Sequence, residues 1–283
     1  MDISDFKITV VGLGLIGGSL AMALRDLKPN RLWAIDKDEQ TIRAAENSGI
    51  IDKFKGDINS PLEESDLIII ALYPEDTVKF ILNNMQSFKR GSLITDTCGL
   101  KSGIIQKLSN FLRKDLEFIG GHPMAGKESS GFSSADKAIF YNANYILTPT
   151  ENTNRDALKH LEAMILALGC KKPILLSPEE HDRLIAYTSH LPHLAAVSLI
   201  NCFSTEKDLA GLVGGSYRDA TRVADINSNL WLELLKLNKK NVTIALDSFI
   251  ESLSQMRNSI ANDDDAKLMN YFEQARRRRK GIG

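Results

Sequence analysis

The stretch from Gly120 to Gly126, "GGHPMAG", places a single histidine between glycines and a proline. Histidine is scarce in this chain, with five in 283 residues. Imidazole is the side chain best suited to accept a proton near neutral pH. The stretch is therefore either a turn that happens to hold His122 or a point where the glycines let a ligand approach the imidazole.

A second glycine cluster has the spacing of a dinucleotide site. "VVGLGLIGGSLA" contains Gly12, Gly14 and Gly17 as G-x-G-x-x-G, directly after a predicted strand and at the start of a predicted helix. Such glycines allow a tight turn and close approach of a pyrophosphate, and the helix N-terminus offers free N–H groups to it. We expect these glycines, together with Leu15 and Ile16, to contact the cofactor.

The acidic residue Asp36 directly follows the second predicted strand. Its carboxylate can accept hydrogen bonds from the adenosine ribose hydroxyls and would repel a 2′-phosphate. This predicts NAD rather than NADP. The positive charge of Lys37, which follows immediately, could moderate that preference. FAD uses the same glycine pattern, but no second flavin-binding signature accompanies it. Leu72, at the end of the central predicted strand, is a further expected cofactor contact.

The elements that position these residues alternate between β-rich runs and amphipathic helical patterns. This order predicts an α/β fold with a doubly wound, Rossmann-type parallel sheet over residues 1–176. Ligands of such sheets bind at the carboxyl edge, and His122 follows the fifth run, so we expect it beside the cofactor as a general base. The predicted strands are 7–11, 31–35, 66–72, 92–97, 117–121, 144–149 and 173–177.

Residues 177–283 show helical patterns and no convincing strand. Ser177 and Pro178 have the types preferred at the start of a helix, and Pro192 should bend that helix. Apolar residues on more than one face of these helices predict an all-helical domain that forms a homodimer.

Composition excludes some classes of function. A net charge of −1 gives no basis for nucleic-acid or membrane binding, and no apolar run of about 18 residues exists. The acidic N-terminus does not resemble a signal peptide, and three cysteines without a CxxC pair fit a reducing cytoplasm. His190 and His193 could share a helix face, but no Cys or Glu at a matched spacing accompanies them, so we expect no metal.

Four motifs in order, the glycine turn, "GGHPMAGKE", "SHLPH" and "YRDATRVA" with a tryptophan downstream, resemble the TyrA family of prephenate and arogenate dehydrogenases over nearly the whole chain. That family oxidises a cyclohexadienol ring with NAD, releases CO2 and leaves a phenol. The resemblance implies oxidation of prephenate to 4-hydroxyphenylpyruvate in tyrosine biosynthesis. Arogenate, which carries an amino group in place of the side-chain keto group, remains an alternative because these motifs do not distinguish the two.

The resemblance also implies roles for individual residues. His122 matches the base that bonds to the ring hydroxyl, and Arg222 matches the arginine that holds the ring carboxylate. His193 matches a substrate contact, whereas the roles of His181 and His190 stay open. Three further positions match a polar gate formed with Arg222: Glu128, Asp219 and Trp231.

One position departs from the family pattern. The family often has Asp-x-x-Ser-x-Lys after the fourth strand, and the serine supports the catalytic histidine. Here Asp96 and Lys101 are present, but Gly99 occupies the serine position. The group that supports His122 is therefore open, with a water molecule or Cys98 as candidates.

Two other classes of protein share part of this sequence pattern. A 3-hydroxyacid or pyrroline-5-carboxylate type of enzyme shares the Rossmann-plus-helices plan, but hydroxyacid members typically place a catalytic lysine after a glycine-rich turn. The comparable turn here, "GLVGGSYRDATR", leads to Arg222. A non-catalytic NAD sensor would not need His122, Glu128, Arg222 and His193 together.

Overall fold

A seven-stranded sheet forms the N-terminal part of the molecule, with strand order β2-β1-β3-β4-β5-β6-β7. The computed structural model describes residues 3–54, 57–127, 129–202 and 211–281. The strands are β1 Lys7–Val11, β2 Arg31–Ile35, β3 Leu67–Ile70, β4 Leu93–Asp96, β5 Glu117–Pro123, β6 Tyr145–Thr148 and β7 Ile174–Leu175.

Helices cover both faces of this sheet. Ile8 and Ile69 pack on one face with Leu20, while Ile68 packs on the other with Ile81. Strands covered on both sides have no polar face, which explains why their sequences are apolar without alternation. The helices of this part are α1 Leu15–Asp26, α2 Glu39–Asn47, α3 Asn59–Glu64, α4 Pro74–Asn84, α5 Ser102–Ser109 and α6 Arg155–Ala167.

The sheet departs from the predicted parallel arrangement at β6, which runs antiparallel to β5. β5 also extends two residues beyond the predicted run, to Pro123. Consequently His122 lies in a strand, opposite Ile146, rather than in a turn after the strand. β5 can extend beyond the end of β4 because the antiparallel ladder to β6 continues to hold its backbone.

The described residues of the C-terminal part form helices and short connections without a strand, as predicted. Ser177 caps the first helix, where its side chain accepts a hydrogen bond from the backbone N–H of Glu180. The helices are α7 Pro178–Ile185, α8 Leu191–Asn201, α9 Gly215–Thr221, α10 Ser228–Leu237, α11 Lys239–Ala261 and α12 Asp265–Lys280. In the described part of the chain, no helix has the length and apolar character needed to cross a membrane.

A π-helical turn from Ala186 to His190 joins α7 to α8 directly before Pro192. Proline lacks an N–H, and its ring crowds the carbonyl one turn earlier, so the wider π turn accommodates it. The disturbance predicted for Pro192 therefore takes the form of a change in helix type. The turn ends at His190, which is buried.

Candidate active site

The glycine turn between β1 and α1 has the geometry that a dinucleotide requires. Gly12 has a φ of +89°, and a Cβ there would lie 2.5 Å from the carbonyl oxygen of Ala71. At Gly17 a Cβ would collide with the carbonyl oxygen of Gly12, so the backbone at the start of α1 is in direct contact with the backbone at the end of β1. No atom lies within 4 Å of a Cβ built on Gly14, which leaves open space at the start of α1. These residues fit a pyrophosphate.

Asp36 lies at the carboxyl end of β2, beside this turn. One of its carboxylate oxygens accepts a hydrogen bond from the backbone N–H of Leu13 at 2.6 Å, and the other accepts from Asp38 at 2.9 Å. These bonds fix the carboxylate against the glycine turn, where an acidic group suits a ribose diol and disfavours a 2′-phosphate.

A cleft of about 600 Å³ runs between the carboxyl edge of the sheet and the helical part. It brings together predicted cofactor contacts and predicted substrate contacts that are far apart in the sequence. The predicted residues that line it are Gly14, Leu15, Ile16, Leu72, His122, His193, Arg222 and Trp231.

Other predicted site residues lie elsewhere. Asp219 is exposed on α9 and does not line the cleft, so its role in a gate stays a prediction. Asp36, which accepts a hydrogen bond from the glycine turn, also does not line the cleft. Glu128 lies outside the described residues.

The group that contacts the ring of His122 is His181. Nδ1 of His122 lies 2.9 Å from Nε2 of His181, and Nδ1 of His181 lies 2.8 Å from a carboxylate oxygen of Asp182. The suggestion that Cys98 supports His122 is wrong: its Sγ instead donates to the carbonyl oxygen of Leu72 at 3.3 Å and lies 3.4 Å from the hydroxyl of Thr77.

Gly99 faces the opposite side of the His122 ring. A Cβ at this position would lie 3.9 Å from Nε2 of His122 and 3.7 Å from Leu234. The space therefore accepts a side chain. His122 and Gly99 both line the cleft, and Nε2 is the ring nitrogen nearest to Gly99, so we infer that Nε2 is on the cleft side. In this chain the support of the imidazole comes from its Nδ1 side.

A buried ion pair lies beneath His122. Nζ of Lys101 is 2.5 Å from a carboxylate oxygen of Asp96, and both side chains are fully buried. A Cβ at Gly120 would lie 2.8 Å from Cδ of Lys101, and one at Gly121 would lie 2.7 Å from the carbonyl oxygen of Asp96. Gly120 and Gly121 thus make room for this pair, whereas Gly126, after His122, lines the cleft and has open space where a Cβ would lie.

The surroundings of His122 favour its neutral form. Burial comes first, and repulsion from Lys101, and from His181 and His190 in their protonated forms, adds to it, so that the pKa of His122 lies well below its ordinary 6.5. Burial similarly lowers the pKa of His190 to about 4. A neutral imidazole at physiological pH can accept a proton, as a general base must.

Two histidines and a tryptophan form the wall of the cleft contributed by the helices. The rings of His193 and Trp231 lie 4.3 Å apart between centroids with an angle of 35°, and the ring of His190 meets Trp231 edge-on at 5.6 Å. Nδ1 of His193 donates to the carbonyl oxygen of Ser189 at 2.8 Å. In the neutral ring Nε2 of His193 is consequently a hydrogen-bond acceptor.

Sequence reasoning missed Asp182 and two contacts between the sheet and the helices. Nδ2 of Asn227 donates to the hydroxyl of Tyr73 at 3.0 Å, and the backbone N–H of Glu75 donates to Glu233 at 2.5 Å. The only sequence signal for Asp182 was its place beside a histidine in the first turns of a well-capped helix. The contacts of Asn227 and Glu233 had no local signal.

The fold, the glycine turn and the shared cleft define a two-domain, dinucleotide-dependent dehydrogenase. Residues 20–173 match the family model described as prephenate dehydrogenase, nucleotide-binding domain, and residues 177–274 match that described as prephenate dehydrogenase, dimerization domain. The chain belongs to the prephenate dehydrogenase family, which confirms the resemblance seen in its motifs and the predicted fold.

Relatives match along almost the whole chain. A prephenate dehydrogenase of Bacillus subtilis (strain 168) is 33% identical over 281 residues, which are 97% of this chain and 76% of that protein. The structure of an A. aeolicus prephenate dehydrogenase in complex with hydroxyphenyl propionate and NAD+ is 28% identical, with a TM-score of 0.87 and 98% of both chains covered. A Synechocystis arogenate dehydrogenase is 29% identical, with a TM-score of 0.84, covering 98% of this chain and 99% of that one.

Proposed function

We propose that the protein is an NAD-dependent prephenate dehydrogenase of tyrosine biosynthesis, which converts prephenate to 4-hydroxyphenylpyruvate and CO2. The observation that carries this proposal is the family match of both halves of the chain, together with the place of His122 in the cleft that joins them. The cofactor is NAD, because the glycine turn fits a pyrophosphate, and we assign Asp36, which is bonded to that turn, to the ribose.

Bound NAD supplies the acceptor for the hydride that leaves C4 of the ring. Nε2 of His122 takes the proton of the C4 hydroxyl as the C4–O double bond forms. The bond between the ring and its carboxylate then breaks, its electron pair enters the ring, and CO2 departs. The ring becomes aromatic, and the proton held by His122 returns to the phenolic oxygen. Atoms and charges therefore balance without any further co-reactant.

Arg222 is assigned to the ring carboxylate, because a planar guanidinium can bind a carboxylate through two parallel hydrogen bonds. Its place in the lining of the same cleft as His122 supports that assignment. His193 and Trp231 form the adjacent wall, and we assign them to contacts with the rest of the substrate. The gate role of Glu128 and Asp219 remains part of the proposal on the basis of the motifs alone.

The proposal extends to assembly and location. We place the domain boundary at residues 176–177 and infer a homodimer through the helical domain. Exposed apolar side chains on α11 and α12 support the dimer, since they would otherwise contact water: Ile244, Ile250, Ile260, Met269 and Phe272. The cytoplasm is the proposed compartment, because all three cysteines are free thiols.

Arogenate is the second candidate substrate, since the Synechocystis arogenate dehydrogenase matches over nearly the whole chain. The test is a matrix in which prephenate or arogenate is combined with NAD or NADP, and formation of the reduced cofactor is followed by absorbance. We expect fast reduction of NAD with prephenate and little reduction of NADP. If neither substrate reduces either cofactor, the proposed function is wrong.

A further inference from the structure

A chain of three side chains extends from the helical domain to His122. The carboxylate of Asp182 accepts three hydrogen bonds: from Nδ1 of His181 at 2.8 Å and from the backbone N–H groups of Lys101 at 2.8 Å and Ser102 at 2.9 Å. Burial raises the pKa of Asp182, but these hydrogen bonds outweigh it and lower the pKa below its ordinary value. Asp182 is therefore ionised at neutral pH and acts only as an acceptor.

This arrangement determines which ring nitrogens carry protons. Because Asp182 can only accept, His181 carries its proton on Nδ1, and a neutral His181 has its lone pair on Nε2. The short contact between the two rings then requires His122 to donate from Nδ1. The lone pair of His122 is left on Nε2, the nitrogen beside Gly99 and the cleft.

We propose that Asp182 and His181 are positioning residues, which hold His122 in the tautomer whose free Nε2 faces the substrate and stabilise the imidazolium that forms when it takes a proton. This inference rests on the proposed function only for the identity of the proton donor. The tautomer itself follows from the hydrogen bonds.

Support from the Nδ1 side matters here because Gly99 contributes no side chain near Nε2. The backbone of His122 is fixed within β5, but its ring can still rotate about the Cβ–Cγ bond. The bond to His181 opposes that rotation. It also leads to a carboxylate, which offsets the cost of placing a positive imidazole close to the ammonium group of Lys101.

The tautomer can be measured without substrate. We would label the histidines with 15N and record imidazole spectra of the NAD-bound protein, since protonated and unprotonated ring nitrogens differ widely in 15N shift. A His122→Gln variant assigns the His122 signals. We expect a protonated Nδ1 and an unprotonated Nε2 on His122. A protonated Nε2 on neutral His122 in the unmodified protein would overturn the proposal, whatever the enzyme's substrate.

Asp182→Asn is the informative variant. An asparagine side chain has one acceptor and one donor group where three N–H donors converge, so it cannot satisfy all of them. If its amide donates to His181, both imidazoles must change tautomer and Nε2 of His122 becomes protonated. We expect the 15N spectrum of His122 to show that change or a mixture of both forms. A spectrum identical to that of the unmodified protein would contradict the role of Asp182.

Kinetics separates positioning from a merely structural effect. We expect Asp182→Asn and His181→Leu to lower kcat for prephenate by about 10²–10⁴-fold, the range seen when a general base or its orienting acid is lost. KM for prephenate and the affinity for NAD should stay near those of the unmodified protein. His181→Gln can still offer an acceptor to Nδ1 of His122, so it should retain more activity than His181→Leu.

His160→Gln is the matched control, because His160 lies on α6 against Phe6, away from the cleft. It should change neither kcat nor the spectrum of His122. If kcat of the Asp182 and His181 variants falls no further than that of His160→Gln, the positioning role is refuted. If the unmodified protein oxidises neither prephenate nor arogenate, the proposed function fails, while the 15N spectra still decide the tautomer.

Discussion

Lys101→Met removes one partner of the buried ion pair beneath His122 while keeping most of the aliphatic stem. Both Lys101 and Asp96 are fully buried, and 2.5 Å separates Nζ from the carboxylate oxygen. The substitution leaves a buried carboxylate without its counter-charge. Asp96 retains hydrogen bonds from the backbone N–H groups of Gly121 at 3.0 Å and Cys98 at 3.1 Å, which compensate it in part.

Removing one partner of a buried pair typically costs about 3–5 kcal/mol of unfolding free energy, because the remaining charge stays desolvated. Asp96 keeps its two hydrogen bonds from backbone N–H groups, so we expect a cost near the lower end of this range, at about 3 kcal/mol. For a protein of this size, about 2–4 °C of Tm corresponds to each kcal/mol, so Tm should fall by about 6–12 °C.

Urea unfolding and thermal melting of the unmodified protein and the variant measure this cost. Lys137→Met is the matched control, since Lys137 forms a pair of the same 2.5 Å length with Asp26, but both side chains are more than half exposed. Exposed pairs contribute no more than about 1 kcal/mol. Equal losses in the two variants, or a loss below about 1 kcal/mol for Lys101→Met, would refute the argument that burial sets the cost.

Three further outcomes follow from the site. Because burial and neighbouring positive charge hold the pKa of His122 below 6.5, kcat/KM should stay level as pH falls through 6.5 and decline only at lower pH; a decline centred above 6.5 would contradict this. Arg222→Ala should raise KM for prephenate by about 10–200-fold, because the substrate loses a charged hydrogen-bonding partner. An unchanged KM would show that Arg222 does not bind the ring carboxylate. Gly99→Ser should fold normally, with unfolding free energy within about 1 kcal/mol, because its Cβ meets only ordinary contacts; a larger loss would show that the space is not open.

Local patterns in the sequence predicted the cofactor half of the molecule closely. The strands at 7–11 and 31–35 have the predicted bounds, because continuous apolar runs flanked by turn residues determine them locally. The glycine turn could equally be predicted from the sequence, since Gly12 and Gly17 are positions where any side chain would collide with the backbone.

Features that depend on distant partners were not predictable. The direction of β6 is set by its pairing with β5, and nothing within the run "NYILTP" encodes it. The bond between His122 and His181 spans 59 positions of sequence, so no spacing rule brings the two rings together. Resemblance to the family identified His122, whereas the hydrogen bonds that fix its tautomer depend on the fold, which brings His181 of α7 to His122 of β5.

The most direct test of the central claim compares His122→Asn with the unmodified protein, using prephenate and NAD. Asparagine can still donate to Nε2 of His181 from about the position of Nδ1, but it has no counterpart of the imidazole Nε2. The account predicts that kcat falls by about 10²–10⁴-fold, the contribution of a general base, with KM for prephenate nearly unchanged. A variant that turns over at the rate of the unmodified protein would contradict the assignment of His122 as the base.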